Sequence, residues 1–242
     1  MLQRLSFSPL LSIDLYSLFL LNIMMEIINL DKTPSLLNRF MRELRDTSIQ
    51  TDPLRFRRNI ERIGEIMAYE ISKHLDYTDE EITTPLAKIS VKQPSDKIVL
   101  ATILRAGLPF HHGFLNYFDH AENAFVSAYR KYKEKGDKFE VLVEYLASPD
   151  IEGKTLILVD PMLATGSSME LGYRALLNNG TPKRIHVASV IASHQAVEYI
   201  SKNFPEEITT VWCAAIDPEI NSHSYIVPGL GDAGDLAFGV KL

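Results

Sequence analysis

The sequence predicts an α/β fold in which a mostly parallel sheet is flanked by helices on both faces. Three short runs of the 242-residue chain carry this prediction, Ile98–Ile103, Thr155–Val159 and Ile185–Ile191, each apolar and rich in β-branched residues and leucine. Continuous apolar runs are typical of strands that are buried on both faces, as in parallel sheets. Helical patterns separate these runs, and strands that alternate with helices indicate a parallel sheet.

Two helices are predicted before the first buried strand, over Ser35–Arg45 and Arg57–His74. The apolar face of the second helix is formed by Phe56, Ile60, Ile63, Ile66 and Met67. Such an amphipathic helix either packs as a surface helix or contributes to an oligomer interface, and its periodicity does not separate the two.

The elements after the first buried strand alternate in the same way. A helix through Phe114 and a strand over Asn123–Tyr129 come first, and the polar, lysine-rich run Lys131–Glu140 is typical of a hairpin tip or a flexible loop. A helix over Gln195–Lys202 and a strand over Ile208–Ile216 complete the set. No repeat or linker divides the chain.

The most informative stretch runs from Thr155 to Ser168, where a buried strand ends in an acid and a short loop leads into Thr-Gly-Ser-Ser at a helix start. Free N–H groups at a helix N-terminus, with small residues and hydroxyls beside them, suit a phosphate monoester. Asp160, at the carboxyl end of the strand, suits ribose hydroxyls or a magnesium ion. An ordinary strand–turn–helix with a capping serine or threonine has the same pattern, so this segment alone leaves both interpretations open.

Composition fits a soluble enzyme of one large domain, since the chain is 46% hydrophobic and 23% charged. The net charge of −6 gives no indication of non-specific nucleic-acid binding. The single cysteine, Cys213, lies in an apolar run, which excludes a disulfide framework and favours a buried thiol.

The first 24 residues form an apolar leader that superficially resembles a secretory signal. Pro9 and Asp14 interrupt it, no Ala-x-Ala cleavage site follows, and the run is too broken for a membrane span. We expect this leader to be non-native or disordered, with the true start at Met24 or Met25 and a single domain over residues 25–242.

Two further segments extend the pattern of candidate binding loops. Ile103-Leu-Arg-Ala-Gly-Leu108 places an arginine directly after a buried strand, and Tyr225–Asp235 holds three glycines and two acids. Glycines at this density let the backbone approach a flat ligand closely. Together with Thr155–Ser168, these segments resemble the uracil phosphoribosyltransferase family, in the same order, from about Leu30 to Gly239.

The resemblance implies a type I phosphoribosyltransferase-like fold with a C-terminal hood that binds uracil. It implies a pentosyltransferase of pyrimidine salvage that makes UMP and diphosphate from uracil and 5-phospho-α-D-ribose 1-diphosphate (PRPP). It also implies Mg²⁺ as cofactor, arriving with PRPP, a cytoplasmic homodimer or homotetramer, and GTP as an effector to be tested. We expect no nucleic-acid partner and no membrane partner.

The resemblance also assigns roles to individual residues. The residues expected to act in catalysis are Asp160, Arg105 and Asp232. The residues expected to bind PRPP are Arg105, Arg130, Asp160, Pro161, Met162, Leu163, Ala164, Thr165, Gly166, Ser167, Ser168 and Asp232. The residues expected to bind uracil, largely through backbone groups, are Ile226, Gly231, Asp232 and Ala233. A fixed N–H group facing O4 of uracil would reject the 4-amino group of cytosine.

Two residues depart from the family pattern. Ser167 stands where a second glycine is usual, and Leu236 stands where an arginine is common. These departures leave open a catalytically silent relative that only binds nucleotide. An RNA-binding regulator of the same fold is a second alternative, although Asp160-Pro161 and the net acidity count against it. The resemblance further implies a cis or otherwise unusual peptide at Leu104–Arg105.

Overall fold

The computed structural model describes residues 24–132 and 139–241, without the side chains of residues 128–143. Residues 1–23 of the expected leader lie outside the described residues, and so do residues 133–138 within the polar run.

The strands are short and spread along the chain. In order, they are β1 (Glu26–Asn29), β2 (Tyr77–Thr83), β3 (Lys88–Pro94), β4 (Ile98–Leu104), β5 (Glu122–Tyr132), β6 (Phe139–Ala147), β7 (Thr155–Val159), β8 (Met162–Leu163), β9 (Arg184–Ser193), β10 (Thr209–Asp217), β11 (Glu219–Ile220) and β12 (Ile226–Val227).

The central sheet runs in the order β1, β10, β9, β7, β4, β5 and β6, and β8 pairs with β9 beyond the end of β7. All of these neighbours are parallel except β5 and β6, which form an antiparallel pair. The prediction of a mostly parallel sheet is therefore confirmed. The polar run was predicted to be a hairpin tip or a flexible loop, and the described residues on either side of it pair as an antiparallel hairpin up to Tyr132 and Phe139.

The helices are α1 (Leu36–Arg45), α2 (Pro53–Ser72), α3 (Gly107–Leu115), α4 (Ser167–Leu176), α5 (His194–Asn203) and α6 (Ala233–Phe238). They cover both faces of the sheet, because successive residues of β7 point into two different apolar layers. Ile157 and Val159 join the layer built with α1, α2 and α3. Leu156 and Leu158 join the layer built with α4 and α5. All five residues of β7 are buried, as the apolar run predicts. Of the helices described, none has both the length and the apolar character needed to cross a bilayer.

Local signals explain where the N-terminal helices begin. Ser35 and Asn38 form a capping box at the start of α1, with the N–H of Ser35 donating to Oδ1 of Asn38 at 2.6 Å. The predicted start of α2 at Arg57 is wrong. The helix begins at Pro53, because Asp52 accepts hydrogen bonds from the next backbone N–H groups and a proline suits the first helical position.

Several elements of the fold were not predicted, among them β2, β3, β6 and α6. The antiparallel hairpin of β2 and β3 projects nearly all of its side chains into solvent, so its sequence has no buried face to reveal it. Strand β6 begins at Phe139, within the polar run. Helix α6 begins inside the stretch predicted to be a glycine-rich loop, because Asp232 caps it by accepting from the N–H of Asp235 at 3.0 Å. The prediction of a buried Cys213 is confirmed, and burial raises the pKa of its thiol to about 12.

Candidate functional site

Three segments singled out in the sequence meet at the edge of the sheet where the parallel strands end. The arginine segment, Arg105–Gly107, follows β4, and the phosphate segment, Asp160–Ser168, follows β7. The C-terminal segment, Ile226–Ala233, runs from β12 into α6. The carboxyl ends of parallel strands share one edge of a sheet, and this is where open α/β sheets bind ligands.

The phosphate segment turns into α4 through a residue with left-handed backbone. Gly166 has φ of +82°, and a Cβ atom there would lie 2.8 Å from Cδ1 of Tyr199, so glycine is required. On either side of it, Oγ1 of Thr165 and Oγ of Ser167 lie 2.8 Å apart. The N–H of Ser167 also points to Oγ1 of Thr165, at 3.4 Å. Two hydroxyls therefore lie beside the free N–H groups at the start of α4, an arrangement that can bind a phosphate. Ser168 lies in the first turn of α4, half-buried.

The backbone of the phosphate segment is fastened to β9. The carbonyl of Pro161 accepts from the N–H of Ile191 at 3.0 Å. Met162 and Leu163 form the parallel strand β8 against β9. The hydroxyl of Ser193 donates to the carbonyl of Ala164 at 2.6 Å. The segment is thus held along its length before it reaches the helix.

The carboxyl group of Asp160 has a pKa well above its ordinary value. Its side chain is half-buried, and Oδ1 accepts one hydrogen bond, from the N–H of Met162 at 3.3 Å. Burial raises the pKa of Asp160 to about 7, and the hydrogen bond from Met162, which alone would lower the pKa, offsets only part of this effect. A carboxylate that is costly to ionise gains most from a cation or a hydroxyl donor placed beside it.

The arginine segment begins with a cis peptide bond between Leu104 and Arg105, the geometry implied by the family resemblance. The Arg105 side chain is 44% exposed, and its Nη2 lies 3.4 Å from Oδ1 of Asp235 and 3.4 Å from the carbonyl oxygen of Gly239. Both distances are longer than an ordinary N–H···O hydrogen bond. The guanidinium is therefore loosely held and accessible.

The C-terminal segment contacts the phosphate segment directly. The backbone N–H of Ala233 donates to the sulfur of Met162 at 3.3 Å. Asp232 caps α6 with Oδ1, and its Oδ2 lies 3.7 Å from Nζ of Lys241. Ile226 is buried, whereas Gly231 is exposed. Leu236, the departure from the family pattern, packs against the core, and its Cδ1 would lie 3.6 Å from a Cβ atom built at Gly231.

Arg130 is placed only by its backbone, which pairs with Val141 in the β5–β6 ladder. Its side chain lies outside the described part of the structure, so its expected contact with diphosphate stays a prediction.

Sequence reasoning missed the polar side chains that reach the C-terminal segment from the N-terminal helices. Arg45, at the end of α1, forms a bidentate ion pair with Asp217, at the end of β10. Arg45 ends a predicted helix and Asp217 directly follows a predicted strand, which was the available signal, but their pairing depends on the tertiary fold.

No group of three or more His, Cys, Asp or Glu side chains that could hold a metal ion occurs among residues 24–132 and 139–241, apart from the side chains not described. The carboxylates at the site are those of Asp160, Asp232 and Asp235. This donor set fits a magnesium ion that is carried mainly by the oxygens of a diphosphate ligand.

Comparison with known proteins gives one consistent result. The family model described as uracil phosphoribosyltransferase matches residues 32–240. The chain is 66% identical over 218 residues to a uracil phosphoribosyltransferase of Porphyromonas gingivalis, covering 90% of this chain and 100% of that protein. It is 40% identical over 200 residues to a uracil phosphoribosyltransferase of Pyrococcus furiosus, covering 81% of this chain and 83% of that protein. Among solved structures, the AQ2163 protein from Aquifex aeolicus aligns with a TM-score of 0.77 at 26% identity, covering 89% of this chain and 99% of that chain.

Proposed function

The chain belongs to the uracil phosphoribosyltransferase family, and from that premise we propose which of its residues carry the transfer. The reaction joins N1 of uracil to C1 of the ribose of PRPP and releases diphosphate, forming UMP. Charge develops on the departing diphosphate and on the ribose ring as the bond to C1 breaks. The site therefore has to hold two anionic groups and a flat base in fixed positions.

The phosphate segment binds the 5-phosphate of PRPP. Its backbone is fixed to β9, and the hydroxyls of Thr165 and Ser167 lie 2.8 Å apart at the start of α4. Helix N-terminal N–H groups favour a dianionic phosphate at this position. The hydroxyl of Ser167 adds a donor where a glycine would have none, which supports retained binding in spite of the departure from the family pattern.

Asp160 holds the ribose. Its carboxyl group has one hydrogen bond within the protein and a pKa raised by burial, so an added hydroxyl donor or cation stabilises the ionised form. The same group lies at the end of β7, directly before Pro161 and β8, which supports a ribose site beside the 5-phosphate.

Arg105 neutralises the departing diphosphate, with Arg130 assigned to the same role by family resemblance. The guanidinium of Arg105 is accessible, and its long contacts with Asp235 and Gly239 are easily exchanged for phosphate oxygens. Bidentate contacts of arginine with phosphate are stronger than neutral hydrogen bonds and become more favourable as negative charge accumulates.

The C-terminal segment binds uracil through backbone groups of Gly231, Asp232 and Ala233, with Ile226 beside them. The contact between Ala233 and Met162 is the observation that carries this assignment, since it joins the base-binding and phosphate-binding segments in one site. Magnesium, when bound with PRPP, would supply positive charge to the diphosphate, with Asp160 and Asp232 as the nearest candidate carboxylate ligands of this chain.

The same proposal includes a cytoplasmic homodimer or homotetramer whose activity responds to GTP. Size-exclusion chromatography with light scattering and an assay with and without GTP test these two points separately.

The test of the main assignment is a spectrophotometric assay with PRPP and each of uracil, cytosine, hypoxanthine and orotate. We expect UMP from uracil alone, loss of activity with a magnesium chelator, and recovery on adding magnesium back. The variant Arg105→Gln should lower kcat/KM for PRPP with little change in melting temperature. PRPP binding without UMP formation would instead identify a catalytically silent relative.

A further inference from the structure

The backbone between the proposed uracil contacts Ile226 and Gly231 is held by one side chain from α1 and one from β10. Both backbone groups of Gly229 are engaged. Its N–H donates to Oδ2 of Asp217 at 2.8 Å, and its carbonyl accepts from Nη1 of Arg45 at 3.0 Å. Arg45 and Asp217 are themselves joined by two hydrogen bonds of 2.7 Å each. These three residues, Arg45, Asp217 and Gly229, are called the clamp below.

The clamp is well shielded and charged. The Asp217 side chain is 7% exposed and that of Arg45 is 26% exposed. Burial alone would raise the pKa of Asp217, but Arg45 and the N–H of Gly229 outweigh it, so the pKa lies below its ordinary value. The carboxylate is therefore ionised, and a bidentate pair with arginine fixes its orientation as well as its charge.

The neighbouring residues are held in the same manner. The side-chain amide of Gln50 donates to the carbonyl of Leu230 at 3.1 Å and to the carbonyl of Leu44 at 2.6 Å. Nη1 of Arg57 donates to the carbonyl of Ala237, in α6, at 2.6 Å. The part of the chain that precedes and follows Gly231–Ala233 is thus fixed to α1, α2 and the loop between them.

We propose that Arg45 and Asp217 are positioning residues for uracil, a role that rests on the proposed assignment of Gly231–Ala233 to the base. Recognition by backbone groups requires that N–H and C=O groups stay in one place, because a small displacement removes the hydrogen bond that tells uracil from cytosine. The clamp supplies this constraint at Gly229, two residues before Gly231.

Loss of the clamp should raise KM for uracil and leave KM for PRPP nearly unchanged. The phosphate segment has its own supports, through β8, β9 and the hydroxyl of Ser193, and none of them uses the side chain of Arg45 or Asp217. Asp217 adjoins Ser193 only through the pairing of β10 with β9. A loss of the clamp therefore displaces the backbone groups that face uracil while leaving the phosphate segment, which supplies most of the proposed PRPP contacts, in position.

The experiment compares Arg45→Met with Arg45→Lys and with the control Arg42→Met. Arg42 lies on the same helix with its side chain 74% exposed, and its ion pair with Asp46 is 3.8 Å long. We expect Arg45→Met to raise KM for uracil about tenfold or more, the scale of one or two lost charged hydrogen bonds, with KM for PRPP changed less than about twofold. Arg45→Lys should recover part of the difference, and Arg42→Met should match the parent protein.

Two further measurements separate positioning from a general loss of stability. KM is independent of the folded fraction, so it stays interpretable if Arg45→Met lowers the melting temperature. The rate with cytosine relative to the rate with uracil should rise in Arg45→Met and in Asp217→Asn. An unchanged KM for uracil, or equal changes in both KM values, would overturn the role of the clamp.

If KM for uracil is unchanged in Arg45→Met, the variant Gly231→Ala shows whether the clamp role or the assignment of the C-terminal segment to uracil is wrong. If Gly231→Ala raises KM for uracil and Arg45→Met does not, the C-terminal segment binds uracil and the clamp is merely structural. If neither variant changes KM for uracil, the assignment of the C-terminal segment is itself wrong and the clamp role is rejected with it.

Discussion

A Cβ atom at Gly107 would lie 2.1 Å from Oγ1 of Thr102. Thr102 lies in the buried strand β4, and its hydroxyl has no hydrogen-bond partner among the described protein atoms. Gly107 begins α3 directly after Arg105 and Ala106, so the start of α3 touches the strand that it follows. The path of the arginine segment is therefore set by the absence of a side chain at this position.

Gly107→Ala is expected to destabilise the protein by about 1–3 kcal/mol, because the new methyl group forces the backbone of the arginine segment away from β4. Thr102→Ala in the same chain should restore most of the loss, since the nearest remaining side-chain atom would lie 3.5 Å away. Denaturant unfolding of both single variants and the double variant measures the coupling. Additive effects in the double variant would contradict this account of the contact.

Asp160→Asn is expected to lower kcat on the order of 100-fold while leaving the fold intact, because a neutral amide cannot stabilise the ribose and its cation as a carboxylate does. Steady-state kinetics and circular dichroism measure the two effects. Asp119→Asn, at an exposed turn after α3, is the control for loss of one negative charge. A folded Asp160→Asn variant with unchanged kinetics would remove this residue from the site.

Asp160 should also give the protein a stability that declines as pH rises. Its pKa is about 7 in the folded protein and 3.8 in the reference state, so between these values the folded state binds the extra proton. The free energy of unfolding therefore falls as pH rises from about 4 to 7 and then levels off. Asp160→Asn has no such proton, so its stability relative to the parent should be greater at pH 8 than at pH 4.5. A difference that is constant with pH would show that the carboxyl ionises normally.

The leader can be tested by two deletions. Removing residues 1–24 should leave melting temperature and kcat within experimental error, because the deletion keeps Met25, which is buried, and β1. Removing residues 1–29 also removes β1 and its pairing with β10, so the melting temperature should fall by several degrees, about 2–4 °C per kcal/mol at this chain length. Equal losses from both deletions would assign residues 1–24 to the folded domain.

The buried strands of the central sheet could be predicted from sequence because both faces of the sheet pack against apolar side chains. The last four residues of β7, Leu156–Val159, are apolar and point alternately into two apolar layers, so composition alone indicates the strand. The hairpin of β2 and β3 could not be predicted in this way. Ile82 and Ile89 pair across it while both are exposed, so no alternation of buried and exposed residues marks the strands.

The site was predictable where one continuous segment contains the whole signal, and unpredictable where it depends on distant partners. The strand, the acid and the hydroxyls of Thr155–Ser168 follow one another directly in the sequence. The short helix α6 was missed because glycine lowers helix propensity, whereas its cap at Asp232 is local. The pair of Arg45 and Asp217 is 172 residues apart in sequence, and each residue alone resembles any charged residue at the end of an element.

The clamp and its neighbours also constrain the order in which the protein acquires function. Arg45 and Gly229 are 184 residues apart, and Gln50 and Leu230 are 180 apart, as are Arg57 and Ala237. During synthesis, α1 and α2 leave the ribosome early, but the carbonyl groups that they bind are translated almost last. Contacts of such long sequence separation form late because the chain between them must first be ordered. A nascent or prematurely terminated chain should therefore build its phosphate segment, and bind PRPP, before it is able to select uracil.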